Sequence, residues 1–390
     1  MKKKLAVITT HPIQYNAPFF RLLAKSNAVQ PKIFYTWGDT VLQSKYDPGF
    51  DKTIEWDIPL LDGYEYEFLR NTAKDKGSHH FNGIVNPDIT RTIEAWQPDA
   101  ILVYGWSFNS HLKVIRHFKN KISVWFRGDS TLLDEKRNIK SAIKVPFLKW
   151  VYSHIDLTFY TGTENKKYFL KYGVKPGNLV KAPHAVDNDR FANTDDRYSL
   201  EAINFRKGLH ISEDDIIFLF AGKLTAKKGV VTLLDAFSKM DSDNIHLVIA
   251  GNGPLEIDLK SKYSGYKKVT FLDFQNQQIM PILYCLCNVF VLPSDGPGES
   301  WGLAVNEAMA AGKPVIVSEK CGCATDLVVN GQNGFIVKAG NVADVYSKMR
   351  SMLEMKNDLV KMGDSSKATI TKYNFFEFAQ GIEKSISKND

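Results

Sequence analysis

The chain alternates short apolar runs with segments whose apolar residues recur every three or four positions. The runs have the length of buried strands, and the segments between them have the period of amphipathic helices. Alternating strands and helices predict parallel α/β sheets. The apolar runs are Lys4–Thr10, Ile33–Thr36, Ala100–Tyr104, Ile122–Phe126 and Ile155–Thr161, followed by Ile216–Phe220, His246–Ala250, Val269–Leu272, Val289–Leu292 and Val315–Val317.

The alternation restarts near residue 216, and a chain of 390 residues exceeds what one core usually supports. We therefore predict two domains. The first comprises residues 1–190 and a returning C-terminal helix over 370–390. The second comprises residues 191–369.

The stretch from Val291 to Pro314 predicts a strand, a glycine-rich loop and a helix of small residues. Glu299 lies in the loop, and Glu307 lies eight positions later in the helix. The free N–H groups at a helix N-terminus favour an anion such as a diphosphate, and a nearby carboxylate can accept hydrogen bonds from vicinal sugar hydroxyls. The alternative is a surface helix with two unrelated glutamates.

The loop after the first predicted strand is polar and aromatic and begins with HPIQY at His11. It lacks the G-x-G-x-x-G that a nicotinamide or flavin fold needs for close approach of a pyrophosphate. The sequence therefore argues against a dinucleotide-binding enzyme.

Composition is that of a globular protein, with 44% hydrophobic and 24% charged residues. No run approaches the roughly 18 apolar residues of a membrane-spanning helix, and Met1–Lys4 leads into a strand rather than a signal peptide, so we expect a cytoplasmic protein. The net charge of +7 fits anionic substrates or anionic lipid, and the absence of a known module argues against nucleic acid. Buried free thiols are expected at cysteines 285, 287, 321 and 323.

The stretch around Glu299 and Glu307 resembles the E-x7-E motif of the retaining glycosyltransferases of family 4, which have the GT-B fold. The resemblance is strong over about 216–340, and HPIQY resembles the opening of a bacterial subset of the family. It implies two Rossmann-like domains facing each other across a cleft, with the C-terminal helix crossing back to the first domain. The matching residues are Pro293-Ser294, Glu299, Gly302-Leu303, Glu307-Ala308-Met309-Ala310, Gly312 and Pro314-Val315.

The resemblance also implies the residues of the donor site. Glu307 would hold the ribose hydroxyls and Glu299 the transferred sugar. Lys228, which matches the family's lysine, and Lys223, which replaces its arginine, would hold the leaving diphosphate. A solvated lysine turn is the alternative for these two. Further donor-binding residues are Ser300, Trp301, Gly302, Leu303, Gly222, Gly253, Phe274, His11 and Gln14.

Two positions in the first half remain open. Many family 4 enzymes have a histidine near the end of the fourth predicted strand, where this sequence has Arg127. Arg127 could bind an anion and act in catalysis and Asp129 could bind hydroxyls, or the two could form an internal salt bridge. His11 could instead cap a structural turn.

Two longer segments are candidates for contact with the acceptor and a membrane. Residues 37–63 form a long loop with aromatic residues such as Trp37, Tyr46 and Trp56, which suits a sugar face or plain packing. The stretch from Lys136 to Trp150 has five basic residues and no acid. It suits an anionic bilayer that presents a lipid-linked acceptor, or a solvated basic helix.

We expect a glycosyltransferase that moves a sugar from a nucleotide diphosphate donor to an acceptor hydroxyl with retention of configuration. UDP-sugar is the first choice of donor and GDP-sugar the second, in bacterial surface polysaccharide or glycolipid synthesis. Because no D-x-D pair follows a predicted strand and Lys223 and Lys228 supply fixed cations, we expect no metal or other cofactor. The alternatives are a non-catalytic nucleotide-sugar-binding subunit and a GT-B sugar-nucleotide epimerase.

Overall fold

The computed structural model describes residues 1–39, 45–47, 49–135 and 139–389, with the backbone alone at 45–46, 139–143 and 389. The chain divides into two compact units. The first comprises Met1–Ser44, Pro59–Pro183 and Phe375–Asp390, and the second comprises Lys45–Ile58 and His184–Asn374. These bounds differ from the expected ones chiefly in residues 45–58, which group with the second unit.

The strands follow the predicted alternation, and each of the ten predicted apolar runs overlaps one. In chain order they are β1 (Lys3–Thr9), β2 (Val29–Tyr35), β3 (Lys45–Asp47), β4 (Lys52–Ile54), β5 (Glu65–Phe68), β6 (Ala100–Tyr104), β7 (Ser123–Arg127), β8 (Leu157–Tyr160), β9 (Leu179–Lys181), β10 (Ile216–Ala221), β11 (Ile245–Ala250), β12 (Val269–Leu272), β13 (Val289–Leu292), β14 (Val315–Ser318) and β15 (Gly334–Val337).

Helices occupy most of the segments between the strands. They are α1 (Ala17–Ala24), α2 (Ile89–Trp96), α3 (Asn109–Phe118), α4 (Ile139–Tyr152), α5 (Thr163–Lys171), α6 (Asn188–Phe191), α7 (Ser199–Gly208), α8 (Val230–Phe237), α9 (Glu256–Lys262), α10 (Met280–Leu286), α11 (Leu303–Ala310), α12 (Ala324–Leu327), α13 (Val342–Glu354), α14 (Leu359–Ile370) and α15 (Phe375–Ile386). Within the described residues, no helix combines the length and apolar composition needed to cross a membrane.

The first unit contains a seven-stranded parallel sheet in the order β5-β2-β1-β6-β7-β8-β9. Alternate residues of β1 face opposite sides of this sheet. Leu5 and Val7 belong to one buried cluster, and Ala6 and Ile8 belong to the other. The sheet is therefore covered on both faces, which explains why its central strands are continuous apolar runs.

The C-terminal helix α15 belongs to the first unit, as the sequence predicted. Phe378 stacks on Phe19 of α1, with ring centroids 4.1 Å apart, and Ile382 and Ile386 are buried in the same cluster. The hydrophobic face of α15 thus covers one side of the first sheet.

The second unit contains a six-stranded parallel sheet in the order β12-β11-β10-β13-β14-β15. The strand order reverses between β10 and β13, which are neighbours although β11 and β12 lie between them in the sequence. In open α/β sheets, ligands bind at the carboxyl ends of the strands where this reversal occurs. The fold therefore directs attention to the loops that follow β10 and β13.

Candidate functional site

The loop after β10 runs from Gly222 to Gly229 and contains both predicted diphosphate-binding lysines. A short turn over Ala226–Lys228 ends at Gly229, which has a positive φ of 69° and begins α8. A side chain at Gly229 would overlap the carbonyl oxygen of Pro293 in the loop after β13. Asp295 also donates its backbone N–H to the Lys227 carbonyl at 2.9 Å. These contacts hold the two loops together.

The loop after β13 contains Glu299 and leads into α11, whose N-cap is Gly302 with a φ of 99°. The turn after β14 supports this loop from behind. Gly322 donates its N–H to the Glu299 carbonyl at 3.0 Å, and a side chain at Gly322 would overlap the Ser300 carbonyl. The backbone around Ser300 therefore packs directly against Gly322, a position where no larger residue fits.

The Glu299 carboxylate forms an ion pair with the Lys228 ammonium. Glu299 also accepts a hydrogen bond from the Ser294 hydroxyl at 3.0 Å. The exposed fractions of the Lys228 and Glu299 side chains are only 22% and 13%. The structure thus brings together two residues that the resemblance assigned to the leaving diphosphate and the transferred sugar.

Lys223 is paired with a carboxylate that the sequence did not suggest. Its ammonium contacts both carboxylate oxygens of Asp47, at 2.8 and 2.9 Å, and lies 5.0 Å from the centre of the Phe50 ring. Asp47 and Phe50 both belong to residues 45–58. Nothing in the sequence signals this contact, because Asp47 is far from Lys223 along the chain.

Glu307 lies on the buried side of α11 and has a relative exposure of 3%. One of its carboxylate oxygens accepts a hydrogen bond from the Tyr284 hydroxyl at 2.8 Å. The sequence prediction did not assign Tyr284 to the site. If Glu307 binds ribose, as the resemblance implies, it does so while one of its carboxylate oxygens accepts the hydrogen bond from Tyr284.

Asn252 joins the ends of three strands and is a second residue that the sequence prediction missed. Its amide oxygen accepts the backbone N–H of Phe274 after β12 at 2.6 Å, and its backbone carbonyl accepts that of Leu224 after β10 at 2.9 Å. A side chain at Gly253 would lie 2.7 Å from the Leu224 carbonyl oxygen. In the sequence, the available signal was the position of Asn252 between two glycines directly after a strand. Asn252 thus positions both Phe274 and the lysine loop.

Trp301 and His184 lie beside the Glu299 loop. Trp301 is 3% exposed and donates its indole N–H to the Asn306 side chain at 2.8 Å. Asn306 donates in turn to the His184 carbonyl at 3.0 Å, and the His184 and Trp301 rings lie 5.8 Å apart. The Trp301 side chain is therefore part of the support of the loop. Its backbone, like those of Ser300, Gly302 and Leu303, is the part that was assigned to the donor.

The predicted free thiols are present at all four cysteines. Cys321 and Cys323 are buried behind the Glu299 loop, and this burial raises the pKa of both thiols. Burial also raises the pKa of Cys287 to about 12. These residues are neutral packing groups at physiological pH.

Arg127, in the first unit, is engaged in structural contacts. Its guanidinium donates to the carbonyl oxygens of Ala182, at 2.8 Å, and Pro183, at 3.4 Å, and stacks on the Phe378 ring at 4.1 Å. It is 7% exposed. Two of its donors are thus bonded to backbone carbonyls of the first unit, and a role of Arg127 toward an anion or in catalysis stays a prediction. Asp129, two positions later, is exposed.

His11 and Gln14 also belong to the first unit. The His11 ring lies 2.9 Å from the Thr10 hydroxyl and packs edge-on against Trp37, with centroids 4.9 Å apart. Gln14 is half-buried. These contacts show a local packing role for His11 in the loop after β1.

Residues 202–369 match the family model for the group 1 glycosyl transferases. The chain is 37% identical over 145 residues to an uncharacterized glycosyltransferase of Methanocaldococcus jannaschii, with 36% of each chain covered. It is 28% identical over 217 residues to the D-inositol 3-phosphate glycosyltransferase of Geodermatophilus obscurus, with 52% of this chain and 46% of that protein covered. The chain thus matches less than half the length of these curated relatives.

Solved structures match along nearly the whole chain. HepE of Anabaena in complex with UDP and glucose has a TM-score of 0.72 at 16% identity, with 99% of this chain and 100% of that chain covered. A glycosyltransferase of Rickettsia africae has a TM-score of 0.76 at 15% identity, with 100% of both chains covered. The fold is therefore GT-B. Residues 202–369 are similar to the group 1 glycosyl transferases.

Proposed function

We propose that this chain is a retaining glycosyltransferase that moves a sugar from a nucleotide diphosphate donor to an acceptor hydroxyl. The observation that carries the proposal is the Lys228–Glu299 pair, which lies in the two loops at the strand reversal of the group 1 domain. UDP-sugar is the first choice of donor and GDP-sugar the second. The choice of UDP is supported by HepE, a structural neighbour that was solved with UDP and glucose.

The proposed chemistry follows from where charge develops. As the glycosidic bond breaks, the sugar gains oxocarbenium character and the leaving diphosphate gains negative charge. Lys223 and Lys228 stabilise the diphosphate, together with the backbone N–H groups at the start of α11. Glu299 accepts hydrogen bonds from the sugar hydroxyls, and Glu307 from the ribose. The departing diphosphate takes the acceptor proton, and no side chain is assigned as a covalent nucleophile.

The two lysines make a divalent metal unnecessary in this proposal. Fixed ammonium groups and a bound metal ion are alternative means of neutralising a departing diphosphate. In the second unit, the loop after β10 provides the ammonium groups of Lys223 and Lys228. The proposed site therefore contains no metal and no further cofactor.

We assign the acceptor to the first unit and a peripheral membrane contact to its helix α4. Phe147 and Trp150 are 42% and 39% exposed, and the Arg116 guanidinium lies 5.5 Å from the centre of the Trp150 ring. Arg116 belongs to α3, and α4 itself has the exposed basic residues Lys144 and Lys149. Exposed aromatic and basic groups side by side favour an anionic bilayer surface. Residues 136–138 and the side chains of 139–143, which belong to the predicted basic stretch, lie outside the described residues. This surface fits a lipid-linked acceptor in bacterial polysaccharide or glycolipid synthesis on the cytoplasmic face.

A two-stage assay tests the proposed function. UDP- and GDP-sugars are first screened for an increase in melting temperature, because a ligand that binds only the folded state stabilises it. The stabilising donors are then incubated with and without lipid-linked acceptors, and the anomeric configuration of the product is read by NMR. Transfer with retention supports the proposal. Binding without hydrolysis or transfer indicates the non-catalytic alternative, and conversion of the donor sugar without an acceptor indicates the epimerase.

A further inference from the structure

The segment 45–58, here called the strap, belongs to the second unit although it precedes most of the first in the chain. Its strands β3 and β4 pair in antiparallel register, with Asp47 opposite Lys52. The sequence predicted an irregular aromatic loop here. The strap is instead a short hairpin followed by an extended tail.

The tail of the strap is fastened to the turn that follows β12. Asn276 donates its side-chain amide to the Glu55 carbonyl at 2.6 Å. Gln278 donates its backbone N–H to the Asp57 carboxylate at 3.1 Å and its side-chain amide to the Asp57 carbonyl at 2.8 Å. The donors of these hydrogen bonds are uncharged amide groups. A phosphate that binds Lys223 does not replace these bonds.

Aromatic contacts place the strap over the residue that the resemblance assigned to the nucleotide base. The Phe50 ring lies edge-on to Phe274 with centroids 4.9 Å apart, and the Trp56 ring lies 6.1 Å from it. The strap is thus part of the surface that would surround a donor.

The hairpin end of the strap is held by charge. The Asp47 carboxylate accepts the backbone N–H groups of Gly49 at 2.8 Å and Phe50 at 3.3 Å, which orients it toward Lys223. Burial alone would raise the pKa of Asp47, but the hydrogen bonds from Lys223 and Gly49 outweigh it and lower the pKa. Asp47 is therefore ionised at neutral pH, and it supplies the negative charge that Lys223 would otherwise receive from a phosphate.

We propose that Asp47 is a specificity-determining residue of the donor site, whose carboxylate occupies Lys223 until a ligand with sufficient negative charge displaces it. This inference rests on the proposed function, since it takes Lys223 as a ligand of the diphosphate. A diphosphate binds the Lys223 ammonium at the expense of the ion pair with Asp47, because the two anions compete for the same cation. A nucleoside without phosphates has no such conflict. Asp47 therefore lowers the affinity of any ligand that binds through Lys223. It favours ligands that carry enough negative charge to displace its carboxylate.

The test compares Asp47→Asn with the wild-type protein by calorimetry, using UDP and GDP as probes and uridine and guanosine as uncharged controls. Exposed ion pairs contribute little, so removing the competing charge should tighten diphosphate binding by about 1.4- to 5-fold, which corresponds to about 0.2–1 kcal/mol. Binding of the nucleosides should not change. Asp51→Asn is the matched control, because it removes a carboxylate from the same turn at a position whose φ of 52° asparagine tolerates.

A second control tests whether the effect acts through Lys223. In a Lys223→Ala background, Asp47→Asn should give no further gain, because the lysine for which the two anions compete is absent. Tighter diphosphate binding in Asp47→Asn alone supports the inference. Unchanged or weaker binding of a diphosphate that the wild type binds would overturn it and leave the proposed function intact. If neither protein binds UDP or GDP, the proposed function fails and the inference fails with it.

Discussion

Replacement of Lys228 by alanine is the most direct test of the proposed chemistry. In the structure, Lys228 forms an ion pair with Glu299, and in the proposed reaction it turns to the leaving diphosphate. Its attraction to the diphosphate grows toward the transition state, so the substitution should lower kcat as well as raise KM. By comparison with the loss of one oxyanion donor, we expect a decrease of about 10²–10³ in kcat.

The same substitution has a structural cost that must be separated from the chemical one. Glu299 is 13% exposed and keeps its hydrogen bond from Ser294 when Lys228 is removed. Leaving a partly buried carboxylate without its cation costs about 1–3 kcal/mol of folding free energy. A lower melting temperature is therefore expected, and activity must be measured where the variant is fully folded.

The assay is steady-state turnover of the best donor, with circular dichroism and thermal unfolding on the same samples. Lys227→Ala is the matched control, because Lys227 is exposed and occupies the same turn. We expect near wild-type kcat for Lys227→Ala. If Lys228→Ala lost stability but kept its kcat, the lysine would have only a structural role and the reasoning would be refuted.

Four further predictions follow from other parts of the molecule. Glu307→Gln should weaken nucleotide binding by about 1.5–3 kcal/mol per charged hydrogen bond lost. Tyr284→Phe removes only the structural partner of Glu307 and should change the affinity measured by calorimetry less. Equal effects of the two substitutions on nucleotide affinity would contradict a ribose contact. Turnover should survive exhaustive EDTA treatment, and loss of activity that Mn²⁺ or Mg²⁺ restores would overturn the lysine mechanism. The protein should sediment with anionic vesicles at low salt and less at high salt, because basic residues near the surface contribute about 1 kcal/mol each and are screened; equal sedimentation with neutral vesicles would reject the membrane contact. Finally, burial lowers the pKa of His111 and His246 to about 4. The free energy of unfolding should therefore fall by up to about 3 kcal/mol per histidine as the pH decreases from 6.5 to 4, and it should level off below pH 4. A His246→Gln variant with an unchanged slope of unfolding free energy against pH would disprove this.

The parts of the fold that the sequence predicted correctly depend on local signals. Central strands such as β11 are buried at every residue, so they stand out as continuous apolar runs. The missed strands β5 and β9 lie at the two edges of the first sheet and are short and partly exposed. Edge strands with exposed polar residues lack both the apolar run and a clear alternation. Pattern analysis therefore finds the interior of a parallel sheet better than its edges.

The site follows the same division between local and distant contacts. The positions of Glu299 in the loop and Glu307 in the helix were predictable because one strand–loop–helix unit contains both residues. The contacts of Arg127 were not predictable, because its partners, Ala182, Pro183 and Phe378, come from later segments that the sequence does not link to it. A charged residue at the end of a buried strand signals importance, but the sequence does not reveal whether its partner is a ligand or the backbone.

The two lysines show why the pairing of charges also required the structure. Lys223 and Lys228 lie on one short turn, and each is paired with a carboxylate from a different segment, Asp47 and Glu299. The net contribution of either lysine to donor binding is therefore the difference between its attraction to the diphosphate and its attraction to the carboxylate that it leaves. Both attractions are electrostatic and both are screened by salt, so part of the salt dependence cancels. In the proposed function, donor binding is thus an exchange of ion pairs, in which Glu299 would become available to the sugar when Lys228 moves to the phosphate.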